Sequence, residues 1–260
     1  MFETVKVKTD PRGVAEVTLA RCEKHNAMSG EMIEELAQLA KDLDQDKAVR
    51  VVVLTGEGKS FCAGGDLTWM KAQMAADQDT RFREAKKLAM MLQAWNTLSK
   101  PVIAKVQGQA FGGGIGLMAV SDVAIGVTGA KFGLTETKLG LIPATIGPYV
   151  IARMGEAKAR RVFMSARVFG AKEAVGLNLL ARAVAPEALE AEVEREVTPY
   201  LACAPGAVAD AKALARAMGP VIDEAVIDAT IGALVQRWAG EEAQEGIAAF
   251  FEKRPAAWVI

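Results

Sequence analysis

Three short stretches of this chain hold residue types and spacings that can do chemistry. The first is Phe61-Cys62-Ala63-Gly64-Gly65-Asp66, set between a strand pattern and a helical stretch. Adjacent glycines let a backbone approach a ligand closely and adopt conformations barred to other residues. The amide N–H of Gly65 would then face outward at a helix start, where the dipole favours negative charge. The plainer alternative is a tight turn with Asp66 as a helix cap. The second stretch is Gly108-Gln109-Ala110-Phe111-Gly112-Gly113-Gly114-Ile115-Gly116, again a glycine-lined turn leading from a strand into a helix. Its first N–H groups have no intrahelical acceptor. Here the competing explanation is helix–strand packing that demands small residues. The third runs from Phe132 to Pro143 and places Glu136 among apolar neighbours. Desolvation would raise its pKa and suit it to acid–base work near neutrality. A surface glutamate paired with Lys131 or Lys138 is the alternative.

Taken together the three stretches are more specific than any one alone. A thioester that gains carbanion character at its α-carbon develops an enolate oxyanion. Two backbone N–H groups from separate helix starts can stabilise that oxygen, each by typically about 2.7–4 kcal/mol of barrier. A carboxylate can then move a proton or position water. Other chemistries fit less well. His25 is the single histidine, so a Ser-His-Asp triad has no other base to use, and no zinc-like cluster is present. Gly114-x-Gly116-x-x-Ala119 fits a relaxed dinucleotide fingerprint, but Gln107 to Phe111 separate it from the strand, and the first glycine turn is left unexplained.

The elements that must position these residues can be read from periodicity. Val5 and Val7, then Val14, Val17 and Leu19, read as two strands around the turn Asp10-Pro11-Arg12-Gly13. Ser29 reads as an N-cap for a helix whose face is Met32, Ile33, Leu36, Leu39, Ala40 and Leu43. Val51–Leu54, Val102–Val106 and Val123–Val127 read as buried strands, and Phe82 to Trp95 as an amphipathic helix. Trp69 and Met70 are either an acyl-pocket wall or core, and Lys71 to Thr80 is a mobile wall or an exposed helix. From Pro186 onward nearly everything reads as helix. The expectation is an α/β region over residues 1–185 and a helical region over 186–260. Unburied apolar positions in the latter, such as Val221, Ile222, Val226, Ile227 and Ile231, point to self-association.

Net charge is −1, which leaves no footprint for nucleic acid or an anionic membrane. No window is apolar enough for a membrane span, and the first residues lack the apolar core of a signal peptide. Cys22, Cys62 and Cys203 are far apart and odd in number, as expected of reduced thiols in the cytoplasm.

The two glycine turns, the Glu136 segment and their order resemble the enoyl-CoA hydratase/isomerase (crotonase) family. The resemblance begins at Lys24-His25-Asn26-Ala27 and ends at Phe250-Phe251-Glu252-Lys253-Arg254. It implies a crotonase (ClpP-like) spiral of strand-strand-helix repeats with a C-terminal helical trimerisation region, in a homotrimer or dimer of trimers. It implies an oxyanion hole from the N–H groups of Gly65 and Gly113, with Glu136 as the catalytic carboxylate. Lys24, Ala27, Ala63, Gly64, Asp66, Leu67, Gly112 and Gly116 would lie along the acyl-CoA. Coenzyme A enters only as part of the substrate, with no other cofactor and no metal. The implied reaction is hydration of a 2-enoyl-CoA. Double-bond isomerisation by Glu136 alone and non-catalytic binding of CoA esters are the alternatives. One departure stands out. Hydratases of the family usually carry a second glutamate twenty residues before the first, and here that position is Gly116. Together with Ala144-Thr145-Ile146-Gly147-Pro148-Tyr149 this resembles a bacterial methylglutaconyl-CoA hydratase-like branch. The expectation is that the missing side chain leaves room for a methyl branch on the substrate.

Overall fold

Local chemistry closes the first hairpin. β1 (Val5–Thr9) and β2 (Val14–Leu19) pair antiparallel, and the Asp10 carboxylate accepts from the N–H groups of Arg12 and Val14 in the turn between them. Ser29 then caps α1 (Gly30–Gln45) by accepting from Met32 N–H, and the six apolar residues of its face are all buried. The computed structural model describes residues 2–260.

From β3 (Val51–Gly56) onward the chain repeats one move. A long strand is followed by a short one, and a helix returns the chain to the start of the next pair. β3 leads to β4 (Ser60–Cys62), then α2 (Leu67–Ala75) and α3 (Gln78–Thr97). Next, β5 (Val102–Val106) leads to β6 (Gln109–Phe111) and α4 (Gly113–Val120). β7 (Val123–Val127) leads to β8 (Lys131–Gly133), a 3-10 turn at Glu136–Leu139, α5 (Gly147–Met154) and α6 (Glu156–Phe163). β9 (Val168–Gly170), α7 (Ala171–Gly176) and β10 (Arg182–Val184) finish the winding. The long strands form a six-stranded sheet in the order β1-β2-β3-β5-β7-β10, and the short ones a four-stranded sheet in the order β4-β6-β8-β9. This is the crotonase spiral.

The spiral decides where chemistry can happen. β4, β6 and β8 are parallel neighbours, so their carboxyl ends lie side by side. Ligand sites in parallel sheets sit at such ends. Ala63-Gly64-Gly65, Gly112-Gly113 and Thr135-Glu136 are the segments that leave those three ends.

Two of the large aromatic side chains in the core between sheet and helices have their polar atoms paired. Trp95 is fully buried with its Nε1–H donating to Leu36 O at 3.0 Å, and Tyr149 donates its hydroxyl to Ala89 O at 2.9 Å. Large side chains of this kind contribute roughly 1.5–3 kcal/mol each on burial.

The helices after residue 186 have separate tasks. α8 (Leu189–Leu201) buries Leu189, Val193 and Val197 in the main core, so it serves the sheet. α9 (Pro205–Ala217) buries nothing. α10 (Glu224–Trp238) packs on α3, where Ile227 and Ile231 meet Ala85 and Ala89. That corrects part of the expectation above: Ile227 and Ile231 are covered within the chain, while Val221 stays exposed, as do Leu214 and Met218. α11 (Glu241–Glu252) presses on the Glu136–Leu139 turn so closely that a Cβ at Gly246 would lie 2.6 Å from the carbonyl carbon of Leu139. Arg237 donates to Gly140 O at 3.0 Å from the other side. The helical tail thus fixes the segment that carries Glu136.

Candidate active site

The first glycine turn is held by three backbone bonds to the segment before α1. Ala63 N–H donates to His25 O at 3.0 Å, Met28 N–H to Gly64 O at 2.8 Å, and Asp66 N–H to Met28 O at 2.9 Å. Met28 and Gly65 therefore pair as in a parallel sheet through Gly65's neighbours, which turns Gly65's own N–H the other way. Gly64 has φ +95°, and a Cβ there would lie 3.2 Å from Phe111 O. Both conformation and space require glycine at this position.

The second turn is built differently. Gly112 has φ +45° and donates its N–H to Gly133 O at 3.1 Å. Gly113 is the first residue of α4, so its N–H lacks an intrahelical acceptor. Among the described residues neither Gly65 N–H nor Gly113 N–H has a hydrogen-bond acceptor. Met28 links the two: it pairs with Gly65, and its sulfur would be 2.9 Å from a Cβ at Gly113. Sequence reasoning missed Met28, and nothing in its type or spacing announced it.

Glu136 faces these turns. A Cβ on Gly112 would lie 3.2 Å from Glu136 Oε1, so the carboxylate stands against bare backbone. Its Oε2 is buried without a hydrogen-bond partner, and among the described residues no salt bridge reaches it. Lys131 and Lys138 do not pair with it. Burial pushes the carboxyl up to about 7, well above its ordinary 4.5.

A cavity of about 440 Å³ joins these groups. Ala63, Gly64, Gly65 and Leu67 line it from the first turn, Gly112 and Gly113 from the second, and Glu136 from the third. Trp69 and Met70 line it too, so they form a wall. The rest of the wall is mostly apolar, from α3, the stretch 139–146 and α10. The suspected mobile stretch 71–80 is the end of α2 and the start of α3.

Four further residues singled out in the sequence lie outside the cavity lining. Lys24 is exposed and Ala27 buried in the segment that braces the first turn. Asp66 is buried and committed elsewhere. It accepts from Thr68 N–H at 2.8 Å and Trp69 N–H at 3.2 Å, and its other oxygen takes Arg21 Nη2 at 3.0 Å. Burial pushes its carboxyl up, but the bonds from Arg21, Trp69 and Thr68 outweigh that and hold it below the ordinary value. Gly116 gives the clearest correction. The room expected beside it is filled: a Cβ would meet Ile146 Cγ2 at 2.7 Å and Leu92 Cδ1 at 3.3 Å. The glycine serves packing of α4 against the stretch before α5, and no space for a methyl branch opens there.

The cysteines offer no activated nucleophile here. Burial pushes the Cys62 thiol up to about 12, so it is not a thiolate near neutrality. Cys22, Cys62 and Cys203 are all free. Among the described residues no three His, Cys, Asp or Glu side chains gather as a metal site would require, and no helix is long and apolar enough to cross a membrane.

Comparison with known proteins agrees with the geometry. The family model for enoyl-CoA hydratase/isomerase matches residues 9–259. The chain is 34% identical to enoyl-CoA hydratase AKT6-1 of Alternaria alternata over 78% of its own length and 67% of that protein. The crystal structure of an enoyl-CoA hydratase from Shewanella pealeana has 36% identity and a TM-score of 0.81, with 99% of this chain and 96% of that one covered. The structure of an enoyl-CoA hydratase from Mycobacterium avium has 29% identity and a TM-score of 0.86, with both chains fully covered. A spiral fold, two glycine turns at adjacent strand ends and a family match over nearly every residue lead to one conclusion: the chain belongs to the enoyl-CoA hydratase/isomerase family.

Proposed function

We propose that the protein hydrates 2-enoyl-CoA thioesters with Glu136 as its one acid–base group. The observation that carries this is an unpaired carboxylate, raised to about 7, in one cavity with two unpaired N–H groups. The thioester oxygen would accept from Gly65 N–H and Gly113 N–H. Glu136 takes a proton from water as the water oxygen bonds to the β-carbon. The double-bond electrons move toward the thioester, and the enolate oxygen is held by the two N–H groups. Protonated Glu136 then returns its proton to the α-carbon. A group titrating near 7 is suited to both halves of this exchange. No cofactor or metal takes part, and coenzyme A belongs to the substrate.

One observation favours a second reading, double-bond isomerisation. Ile146 and Leu92 fill the space beside Gly116, so no second carboxylate is at hand to manage water. Glu136 would take a proton from the α-carbon of a 3-enoyl-CoA and return it to the γ-carbon, through the same enolate. Incubation of 2-enoyl- and 3-enoyl-CoA in heavy-oxygen water, followed by mass analysis, separates the two. Hydration puts heavy oxygen into a 3-hydroxyacyl product, and isomerisation puts none. Failure to convert either ester would defeat both readings, and with them the choice of an enzyme over a non-catalytic binder of CoA esters.

The same reading takes exposed Leu214, Met218 and Val221 to be covered by further copies of the chain, in a homotrimer or dimer of trimers. Sedimentation equilibrium at micromolar concentration tests this, and a monomer mass throughout would overturn it.

A further inference from the structure

The two turns that offer N–H groups to the cavity are not bonded to each other. Pairing of β4 with β6 ends at Cys62 and Ala110. Beyond that point, among the described residues, no backbone hydrogen bond joins 63–66 to 112–114. The backbones touch at one place, where a Cβ at Gly64 would lie 3.2 Å from Phe111 O. Met28 reaches both turns. Its N–H donates to Gly64 O at 2.8 Å and its carbonyl accepts from Asp66 N–H at 2.9 Å, so its backbone holds the residues on either side of Gly65. Its side chain fills the space that a Cβ on Gly113 would need, with Sδ 2.9 Å, Cε 3.2 Å and Cγ 4.0 Å from that position. Met28 is 1% exposed and belongs to the main core. It does not line the cavity, so it acts on the turns and not on a ligand. One residue thus grips one donor turn through its backbone and props the other through its side chain. Close-packed interiors pass such contacts on directly.

We propose that Met28 is a positioning residue for the oxyanion hole: its side chain sets how far Gly113 N–H stands from Gly65 N–H, and so whether one thioester oxygen accepts from both. This rests on the enoyl-CoA reading given above. Such a hole works when its donors lie about 2.7–3.1 Å from the place that the charged oxygen will occupy. A misplacement of about 1 Å can cost about 10²-fold in rate. Among the described residues no hydrogen bond between the turns enforces that spacing, so packing must. The sulfur and methyl of Met28 make its nearest approach to Gly113, so the contact needs a side chain that extends past Cγ. Leucine has carbons at the δ position. Valine stops at Cγ and alanine at Cβ.

The test compares Met28→Leu, Met28→Val and Met28→Ala with the wild type, and uses Leu36→Ala as a control. Leu36 is fully buried in the same core and lines no part of the cavity. Two properties are read. One is kcat and KM for a 2-enoyl-CoA. The other is the infrared stretch of the thioester carbonyl in a bound, isotopically labelled, saturated acyl-CoA, which falls when two N–H groups donate to that oxygen. In Met28→Val and Met28→Ala kcat should drop by about 10–100-fold with KM little changed, and the carbonyl shift should shrink. Met28→Leu should keep most of both. Leu36→Ala should melt at lower temperature with kcat and carbonyl shift as in the wild type. Met28→Val remains informative if the alanine variant does not fold. Wild-type kcat in a folded Met28→Val or Met28→Ala protein, or an equal loss of the carbonyl shift in Leu36→Ala, would overturn the proposal. So would an unshifted carbonyl in the wild type, since there would be no hole to position. The carbonyl band also separates the two readings. A shift present in the wild type and reduced in Met28→Ala, without turnover of any 2-enoyl ester, keeps the role of Met28 and removes the enoyl-CoA reading. Turnover that is indifferent to Met28 does the reverse.

Discussion

Asp66 and Glu136 follow the ends of two short strands in one sheet, and both are buried carboxylates in turns that open helical segments. Their fates differ. Asp66 has spent its oxygens on Thr68, Trp69 and Arg21, and those bonds hold it ionised. Glu136 faces bare glycine backbone with an idle Oε2, and burial holds it near 7. One carboxylate is structural because its charge is already matched. The other is available because its charge is not. The difference comes from neighbours, since the two side chains differ by a single methylene.

The largest effect should come from removing the available carboxylate. Glu136→Gln keeps shape and burial and loses the proton. Turnover is expected to fall by about 10²–10⁴-fold with CoA-ester binding retained, as measured by steady-state kinetics beside calorimetry. Near-native turnover would mean that Glu136 is not the acid–base group, and the contrast with Asp66 would lose its meaning.

Removing the matched carboxylate should act on stability instead. Asp66→Ala takes away the α2 cap and strands Arg21, whose side chain is only 19% exposed. A loss of about 2–4 kcal/mol in urea unfolding is expected. Arg21→Met in the same background should recover part of it, because no cation is then left without a partner. A stable Asp66→Ala protein with abolished turnover would instead place Asp66 in the chemistry.

A smaller effect is expected at the second-carboxylate position. Gly116→Ala drives a Cβ toward Ile146 Cγ2, at 2.7 Å in the present structure. The cost should be about 1–3 kcal/mol, reduced when Ile146→Ala clears the space. Thermal melts of the two single variants and the double variant decide it. Full additivity would mean that Ile146 is not what excludes a side chain from position 116.

Much of this was legible in the sequence where the information is local. Ser29 and the face from Met32 to Leu43 announced α1, and Val51–Leu54 and Val102–Val106 announced buried strands. Neither glycine turn nor Glu136 was telling alone, since each has an ordinary local use; their order along the chain and their combination picked them out. What failed to show depends on distant partners. Nothing near Asp66 names Arg21 as its ion pair, and nothing near Gly116 says that Ile146 fills its space. Ile227 and Ile231 looked uncovered because α3, which covers them, lies far back in the chain. On sequence alone Trp69 could be pocket wall or core, and only the cavity tells the two apart.

The finest contrast between the two carboxylates is their opposite response to pH. Glu136 binds its proton more tightly in the folded chain than in the unfolded one, so its contribution to stability is full below 4.5 and is lost as pH rises toward about 7. Asp66 has the reverse sign. Its contribution is present above the ordinary 3.8 and disappears as pH falls through its lower folded value. Between about pH 5 and pH 8 only Glu136 changes, so the wild type should lose stability across that window while Glu136→Gln stays flat in the same respect. Water in the cavity screens part of the penalty, and the difference is expected to be on the order of 1 kcal/mol. Urea midpoints of both proteins at the two pH values measure it. Activity should move the other way. The base form of Glu136 starts the reaction, so kcat/KM should rise with pH and level off above about 7. Stability and activity crossing over at one pKa, with both changes erased by one substitution, would assign them to the same carboxylate. Parallel pH curves for wild type and Glu136→Gln would show that the proton sits elsewhere.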